Sequence, residues 1–139
     1  MARVAAMVAA LWWGSLSTIG LLVVPLLFAH LPTRAIAGGM AARLFAAQTW
    51  VSLACGLALL VFSRTKSAEA VMPSSYLAIG LIAFSMLLAL LAQFVVAPHI
   101  VARDNLRLWH SVGSVMYLLQ WASAGAVLWL SVAHPVSAG

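Results

Sequence analysis

Four long apolar runs in the chain contain no Asp, Glu, Lys or Arg. A helix needs about 20 mainly apolar residues to cross the hydrocarbon core of a bilayer, and each run is long enough. The runs are unbroken and lack the period-two alternation of barrel strands, so they predict helices and not a transmembrane barrel. The predicted spans are residues 4–28, 44–62, 76–97 and 108–133.

The overall composition supports a membrane protein. Of the 139 residues, 65% are hydrophobic and 6% are charged, whereas soluble domains have about 45–50% apolar and about 25% charged residues. The first run is too long for the apolar region of a signal peptide, so we expect it to be a retained helix. We therefore predict one all-α integral membrane domain over residues 1–139, folded as a four-helix bundle.

The two halves of the sequence echo each other. Val23-Val24-Pro25 in the first span corresponds to Val95-Val96-Ala97-Pro98 in the third. A Gln-Thr-Trp-Val-Ser segment from Gln48 resembles Gln-Trp-Ala-Ser from Gln120. Two repeated helical hairpins would be related by an axis along the membrane normal. Chance similarity between apolar helices is the alternative.

The connection between the third and fourth spans carries an unusual density of polar groups. Pro98 is expected to kink or end the third helix. Asp104 is a good N-cap for a fourth helix starting at Asn105. Arg107 and His110 follow at three-residue spacing, so they share a helical face with Asp104. We expect Asp104, Arg107 and His110 to form one interacting unit.

Three histidines fall at the same predicted membrane face: His30, His99 and His110. Imidazole binds copper, zinc or haem iron, so these residues are candidate metal ligands, whereas the alternative is interfacial histidines near lipid headgroups. Arginines at the same end suit an anionic ligand or lipid phosphate. The candidate functional cluster is His30, Arg43, His99, Arg103, Asp104, Arg107 and His110, with Arg34 beside it.

Three glutamines lie within the spans, where an unpaired amide is costly. Gln48, Gln93 and Gln120 are expected to hydrogen-bond between helices, and a solute path lined by them is the alternative. Gln48, Ser52 and Cys55 share one helical face that we expect to point inward. No catalytic triad, phosphate-binding loop or carboxylate pair occurs in the sequence, so we expect no catalytic residues.

Small residues form a stripe along the first span at Ala10, Gly14 and Thr18. Small residues let helix backbones approach closely in lipid, so this stripe predicts helix contacts within the bundle or in a homo-oligomer. The net charge of +5 comes from arginine-rich connections. In a membrane protein it indicates contact with anionic lipids as partners and not with nucleic acid.

Several segments resemble a bacterial family of unknown function that is related to the eukaryotic transmembrane protein 205. They are Trp13-Gly14-Ser15, the run from Val23 to Phe28, the Gly38–Arg43 segment and the helix entry with His110. The resemblance implies a four-helix integral membrane protein with no established activity. More remotely, the plan is similar to copper-resistance membrane proteins and to four-helix protoporphyrinogen oxidases. Those oxidases are associated with a histidine in the first helix and a lysine in the third, but here His30 ends the first helix and the third has no lysine.

These observations lead to a functional expectation. We expect a non-enzymatic, multi-pass protein of the bacterial inner (plasma) membrane that assembles as a helical bundle or assists a membrane process. A b-type haem or copper-binding redox protein and a small-solute transporter are the alternatives. No cofactor is expected for the non-enzymatic protein, whereas the redox protein would bind haem or copper. Three basic residues on one side against four on the other hardly decide orientation, and we favour cytoplasmic termini.

Overall fold

The computed structural model describes residues 2–64 and 73–133, and every long element in these ranges is helical. Four helices are long and apolar enough to cross a membrane: Arg3–His30, Arg34–Arg64, Tyr76–Val101 and Leu106–Ala133, here called spans 1 to 4. The all-α, four-helix prediction is confirmed. The observed helices extend beyond the predicted apolar limits because their polar ends continue the helix past the hydrocarbon.

Two of the four spans contain a π-helical segment. The elements are α1 (Ala2–Ser17), π1 (Thr18–Val23), α2 (Val24–His30), α3 (Arg34–Arg64), α4 (Pro73–Leu91), π2 (Ala92–Val96), α5 (Ala97–Val101) and α6 (Leu106–Ala133). Span 1 consists of α1, π1 and α2, and span 2 is α3. Span 3 consists of α4, π2 and α5, and span 4 is α6.

The long helices form a ring in which each packs mainly on two neighbours. Helix α1 packs on α3 and α6, and α4 packs on the same two helices. Each span therefore lies beside the next span in the chain, which gives an up-and-down bundle. The buried core cluster draws on all four long helices: Ala9, Trp12, Leu16, Cys55, Leu59, Ile82, Ala124 and Val127.

Proline explains both π-helical segments. A proline ring clashes with the carbonyl four residues earlier and lacks an N–H. For Pro25 and Pro98 those carbonyls belong to Leu21 and Phe94, and both residues lie inside a π segment. The N–H at the end of each segment donates to the carbonyl five residues back, as for Val24 to Ile19. The helix widens by one residue and continues, so Pro98 does not end span 3, which runs to Val101.

The same arrangement in spans 1 and 3 gives the two hairpins a common feature. Each π segment ends two residues before its proline, and the chain then continues as a short α-helix, α2 or α5. The proposed repeat of two hairpins stays a prediction, since similar proline chemistry could produce this feature independently. Span 2 begins after an N-cap at Thr33, because the Ile36 N–H donates to Thr33 Oγ1 at 3.2 Å.

Candidate functional site

The turn between spans 3 and 4 is a Schellman motif with arginine in the position that usually holds glycine. The Asp104 N–H donates to the His99 carbonyl at 3.0 Å, and the Arg103 N–H donates to the Ile100 carbonyl at 3.1 Å. These are the two hydrogen bonds that define the motif. Arg103 has a φ of 56° and Asn105 a φ of 37°. The left-handed residues reverse the chain so that Asp104 points back towards span 3.

His99 is held from two directions by this turn. Its ring stacks on the ring of Trp109, with centroids 4.1 Å apart and planes 1° from parallel. His99 Nδ1 lies 3.4 Å from Asp104 Oδ2. One contact fixes the plane of the imidazole and the other fixes its rotation, so α5, the turn and the start of α6 are joined through one side chain. About 43% of the His99 side chain remains exposed.

The predicted unit of Asp104, Arg107 and His110 is wrong. Asp104 contacts His99 of the preceding span, while Arg107 and His110 are exposed on the first turns of α6. The N-cap is Asn105, whose carbonyl accepts the first helical hydrogen bond from the Trp109 N–H at 3.2 Å. The physical reason is the left-handed backbone at Arg103 and Asn105, which keeps Asp104 in the turn, where it pairs with His99.

The three candidate metal ligands are at the same end of the bundle but on separate elements. His30 ends α2, is exposed, and donates from Nδ1 to the Leu26 carbonyl at 3.1 Å. Helix α2 packs on α3, whereas α5 with His99 packs on α6. Within residues 2–64 and 73–133 no three His, Cys, Asp or Glu side chains are grouped closely enough to hold a metal ion. The structure therefore does not bring His30, His99 and His110 together as one metal site.

The arginines at this end have exposed side chains. All of Arg34, Arg43, Arg103 and Arg107 fall in this class. The ion pair found in the described ranges joins His99 and Asp104, so it uses none of these guanidinium groups. Exposed guanidinium groups at the membrane edge can form bidentate hydrogen bonds with phosphate or carboxylate.

The inward-facing stripe of span 2 and one of the three glutamines, Gln48, behave as the sequence indicated. Gln48, Ser52 and Cys55 are buried, which confirms the inward-facing stripe of span 2. The Gln48 amide donates to Ser15 Oγ at 3.0 Å and lies 3.4 Å from Ser52 Oγ. Gln120 is also buried, while Gln93 in π2 is partly exposed. Gln48 thus provides the expected interhelical hydrogen bond.

Two interior hydrogen bonds were not predicted from the sequence. Tyr117 donates its hydroxyl to the Leu16 carbonyl at 2.7 Å, and the Trp121 indole donates to Ser17 Oγ at 2.8 Å. Both bonds join α6 to α1 directly before π1. The signal was present, because Tyr117 and Trp121 lie four residues apart on one helical face, where amphipathic aromatic side chains seek a polar partner.

The comparisons with known proteins give a family and no activity. No curated protein and no solved structure matched the chain. A family model described as a domain of unknown function (DUF4149) matches residues 7–108, which include most of span 1, spans 2 and 3 and the turn with His99 and Asp104. Since the match covers well over half of the sequence, the chain belongs to the DUF4149 family of domains of unknown function.

Proposed function

We propose that this protein is a non-enzymatic membrane component that acts through assembly, with protomers packing along one face of span 1. One observation carries the proposal: the small-residue stripe faces away from the bundle. Ala10 and Thr18 are exposed, and a Cβ added to Gly14 would have no neighbour within 4 Å. The stripe therefore does not contribute to packing inside the protomer and is available to a second one.

The chemistry of the stripe suits helix association in lipid. Lipid tails are as apolar as leucine, so helices associate through close van der Waals packing and not through apolar burial alone. Residues at positions 10, 14 and 18 repeat every four residues and leave a shallow groove into which another helix fits. Thr18 Oγ1 donates to the Gly14 carbonyl at 2.9 Å, so its methyl group stays free to contact a partner.

The test is the self-association of Gly14→Leu in detergent micelles, measured by analytical ultracentrifugation. We expect association to weaken roughly tenfold or more, equivalent to about 1.4 kcal/mol, because leucine fills the groove. Gly80→Leu is the matched control, since Gly80 in α4 also has open space beside it. Gly20→Leu is the folding control, because its new side chain would meet Tyr117 inside the bundle.

Two results would count against assembly through span 1. A protein that is monomeric at all concentrations would remove the proposal. An oligomer that responds to Gly80→Leu but not to Gly14→Leu would move the interface to span 3. Loss of the folded state only in Gly20→Leu would show that the assay separates folding from association.

Membrane context completes the proposal. Four apolar helices support a multi-pass membrane protein, and we place it in the bacterial inner membrane with cytoplasmic termini. The exposed Arg34, Arg43, Arg103 and Arg107 would contact anionic lipid headgroups on the opposite side. Reporter fusions at Lys66 and after the C-terminus should agree with each other and oppose a fusion at Arg34. Lys66 and the last six residues lie outside the described residues.

The finer relationships and the alternative functions stay predictions. The relation to the eukaryotic transmembrane protein 205 is one of these predictions. No arrangement in the described part of the chain favours haem or copper, and the visible spectrum and metal content of purified protein, before and after haem or copper is supplied, test that alternative. A small-solute transporter would need an aqueous path through the polar interior, and uptake into vesicles is its test.

A further inference from the structure

Three polar atoms deep in the bundle have no hydrogen-bond partner within the described part of the protein: Trp12 Nε1, Gln48 Oε1 and Ser85 Oγ. The exposed fractions of these residues are 0%, 3% and 0%. They lie on α1, α3 and α4, so no single helix accounts for them. Buried polar groups are almost always hydrogen-bonded, and the surrounding lipid supplies no partner.

Trp12 and Gln48 are linked through Ser15. The Gln48 amide donates to Ser15 Oγ at 3.0 Å, and Ser15 Oγ donates to the Trp12 carbonyl at 2.8 Å. Ser15 is three residues from Trp12, which is about 4.5 Å along the helix axis. The Gln48 side chain therefore reaches α1 at the turn that contains Trp12.

The third atom, Ser85 Oγ, is related to the other two through Ser52 and Gly56. Gln48 Nε2 lies 3.4 Å from Ser52 Oγ, one turn further along α3. Gly56 is one turn beyond Ser52, and a Cβ added there would lie 2.7 Å from Met86 Sδ. Ser85 lies between Ile82 and Met86, which both reach Gly56, so this residue is at about the level of Gly56 and roughly one turn from Ser52 along the bundle. Trp12, Gln48, Ser52 and Ser85 are thus buried polar residues on three adjoining helices within a few turns of one another, hereafter the interior polar line.

The three free atoms have complementary hydrogen-bonding roles. An indole N–H only donates, an amide oxygen only accepts, and a hydroxyl does both. A water molecule has two donors and two acceptor sites, so it can satisfy all three kinds of atom. No charged side chain is among the buried residues of the described ranges, so a charged ligand would find no counter-charge.

We propose that the interior polar line binds a short chain of water molecules, held by Trp12 Nε1, Gln48 Oε1 and Ser85 Oγ. The ligand class is water because the core cluster that contains Trp12 also contains Leu16, Leu59 and Ile82, which offer no polar surface to a larger solute. This inference is independent of assembly through span 1, since the stripe at Gly14 faces the opposite way.

The experiment uses the full chain, labelled with ²H, ¹³C and ¹⁵N, in micelles, with indole resonances assigned through the backbone. We expect a nuclear Overhauser cross-peak between the Trp12 indole N–H and water. Trp121 is the internal control, because its indole donates to Ser17 Oγ at 2.8 Å and needs no water. The Trp12 cross-peak should fall several-fold in Gln48→Leu, which removes the acceptor and introduces no exchangeable proton.

Further variants distinguish bound water from a serine hydroxyl and from a larger solute. Ser85→Ala should weaken the cross-peak without abolishing it, whereas complete loss would mean that the signal came from the serine hydroxyl and would overturn the proposal. Ser131→Ala should leave it unchanged, because Ser131 bonds to the Val127 carbonyl of its own helix. Absence of the cross-peak in the folded wild-type protein would overturn the proposal. Displacement of the cross-peak by added urea or glycerol would overturn it in favour of a solute site.

Discussion

The two ends of the bundle are stabilised in different ways. In the half that contains α1 and its neighbours, the four long helices surround a buried core that includes Trp12, Leu16 and Ile82. At the arginine-rich end, the short helices α2 and α5 contain no buried residue, and each packs on one long helix. One end is held mainly by packing in the interior, whereas the other adds caps, a turn and a stacked ring to the few buried residues Ala37, Ala41 and Val96.

This difference follows from where proline interrupts the helices. The π segments before Pro25 and Pro98 shift the helical phase of everything that follows, so α2 and α5 no longer present the core face of α1 and α4. Residues beyond the prolines must be fixed locally. His99, Asp104 and Trp109 do this where the chain enters span 4. The comparison predicts large mutational effects in the packed half and small ones at the other end.

The largest effect is expected for Trp12→Ala. Trp12 is fully buried in the core, so its truncation should lower the free energy of unfolding by about 3–5 kcal/mol. The measurement is reversible unfolding in mixed micelles, followed by circular dichroism. Trp129→Ala is the matched control, because Trp129 is 74% exposed and faces lipid. An equal loss of unfolding free energy in both variants would mean that the core of the bundle does not lie around Trp12.

A smaller effect is expected for Tyr117→Phe, at the boundary between the two halves. The change removes the hydroxyl that donates to the Leu16 carbonyl at 2.7 Å and keeps the ring that packs edge-on against Phe45. We expect a loss of about 0.5–1.5 kcal/mol, the usual net contribution of one hydrogen bond. Tyr76→Phe should change little, since Tyr76 is 67% exposed. If Tyr117→Phe lost no stability, a water molecule would have to replace the hydroxyl as donor to the Leu16 carbonyl.

The sequence predicted what depends on apolar length and local chemistry. The four spans and the inward stripe with Gln48 and Ser52 are confirmed, because a hydrophobic run and a polar stripe are each properties of a single helix. The contact between Asp104 and His99 was not predicted. It depends on a left-handed backbone conformation at Arg103, and residues other than glycine seldom adopt that conformation.

Interior partners were harder to predict for a related reason. Trp12 and Ser85 became candidates only once their burial and their missing partners were known. A tryptophan in an apolar run is equally compatible with a lipid-facing, an interfacial or a core position, because the outer surface of a membrane bundle is as apolar as its core. Helical periodicity therefore locates the spans but does not say which face of each span is inside.

The smallest effect, and the one with the opposite sign, is expected for Arg103→Gly. Arg103 occupies the left-handed position of the Schellman motif, where a Cβ costs about 1–2 kcal/mol and glycine has no such penalty. The extra chain entropy of unfolded glycine offsets part of the gain, so we expect stabilisation of about 0.5 kcal/mol. Arg107→Gly is the matched control, because Arg107 is an equally exposed arginine in the first turn of α6 and glycine should destabilise that helix. Both variants remove one positive charge, but they should shift the unfolding midpoint in opposite directions. If both variants lose stability equally, the arginine charges matter more to this end than the backbone of the turn, and the comparison between a packed half and a turn-held half would need revision.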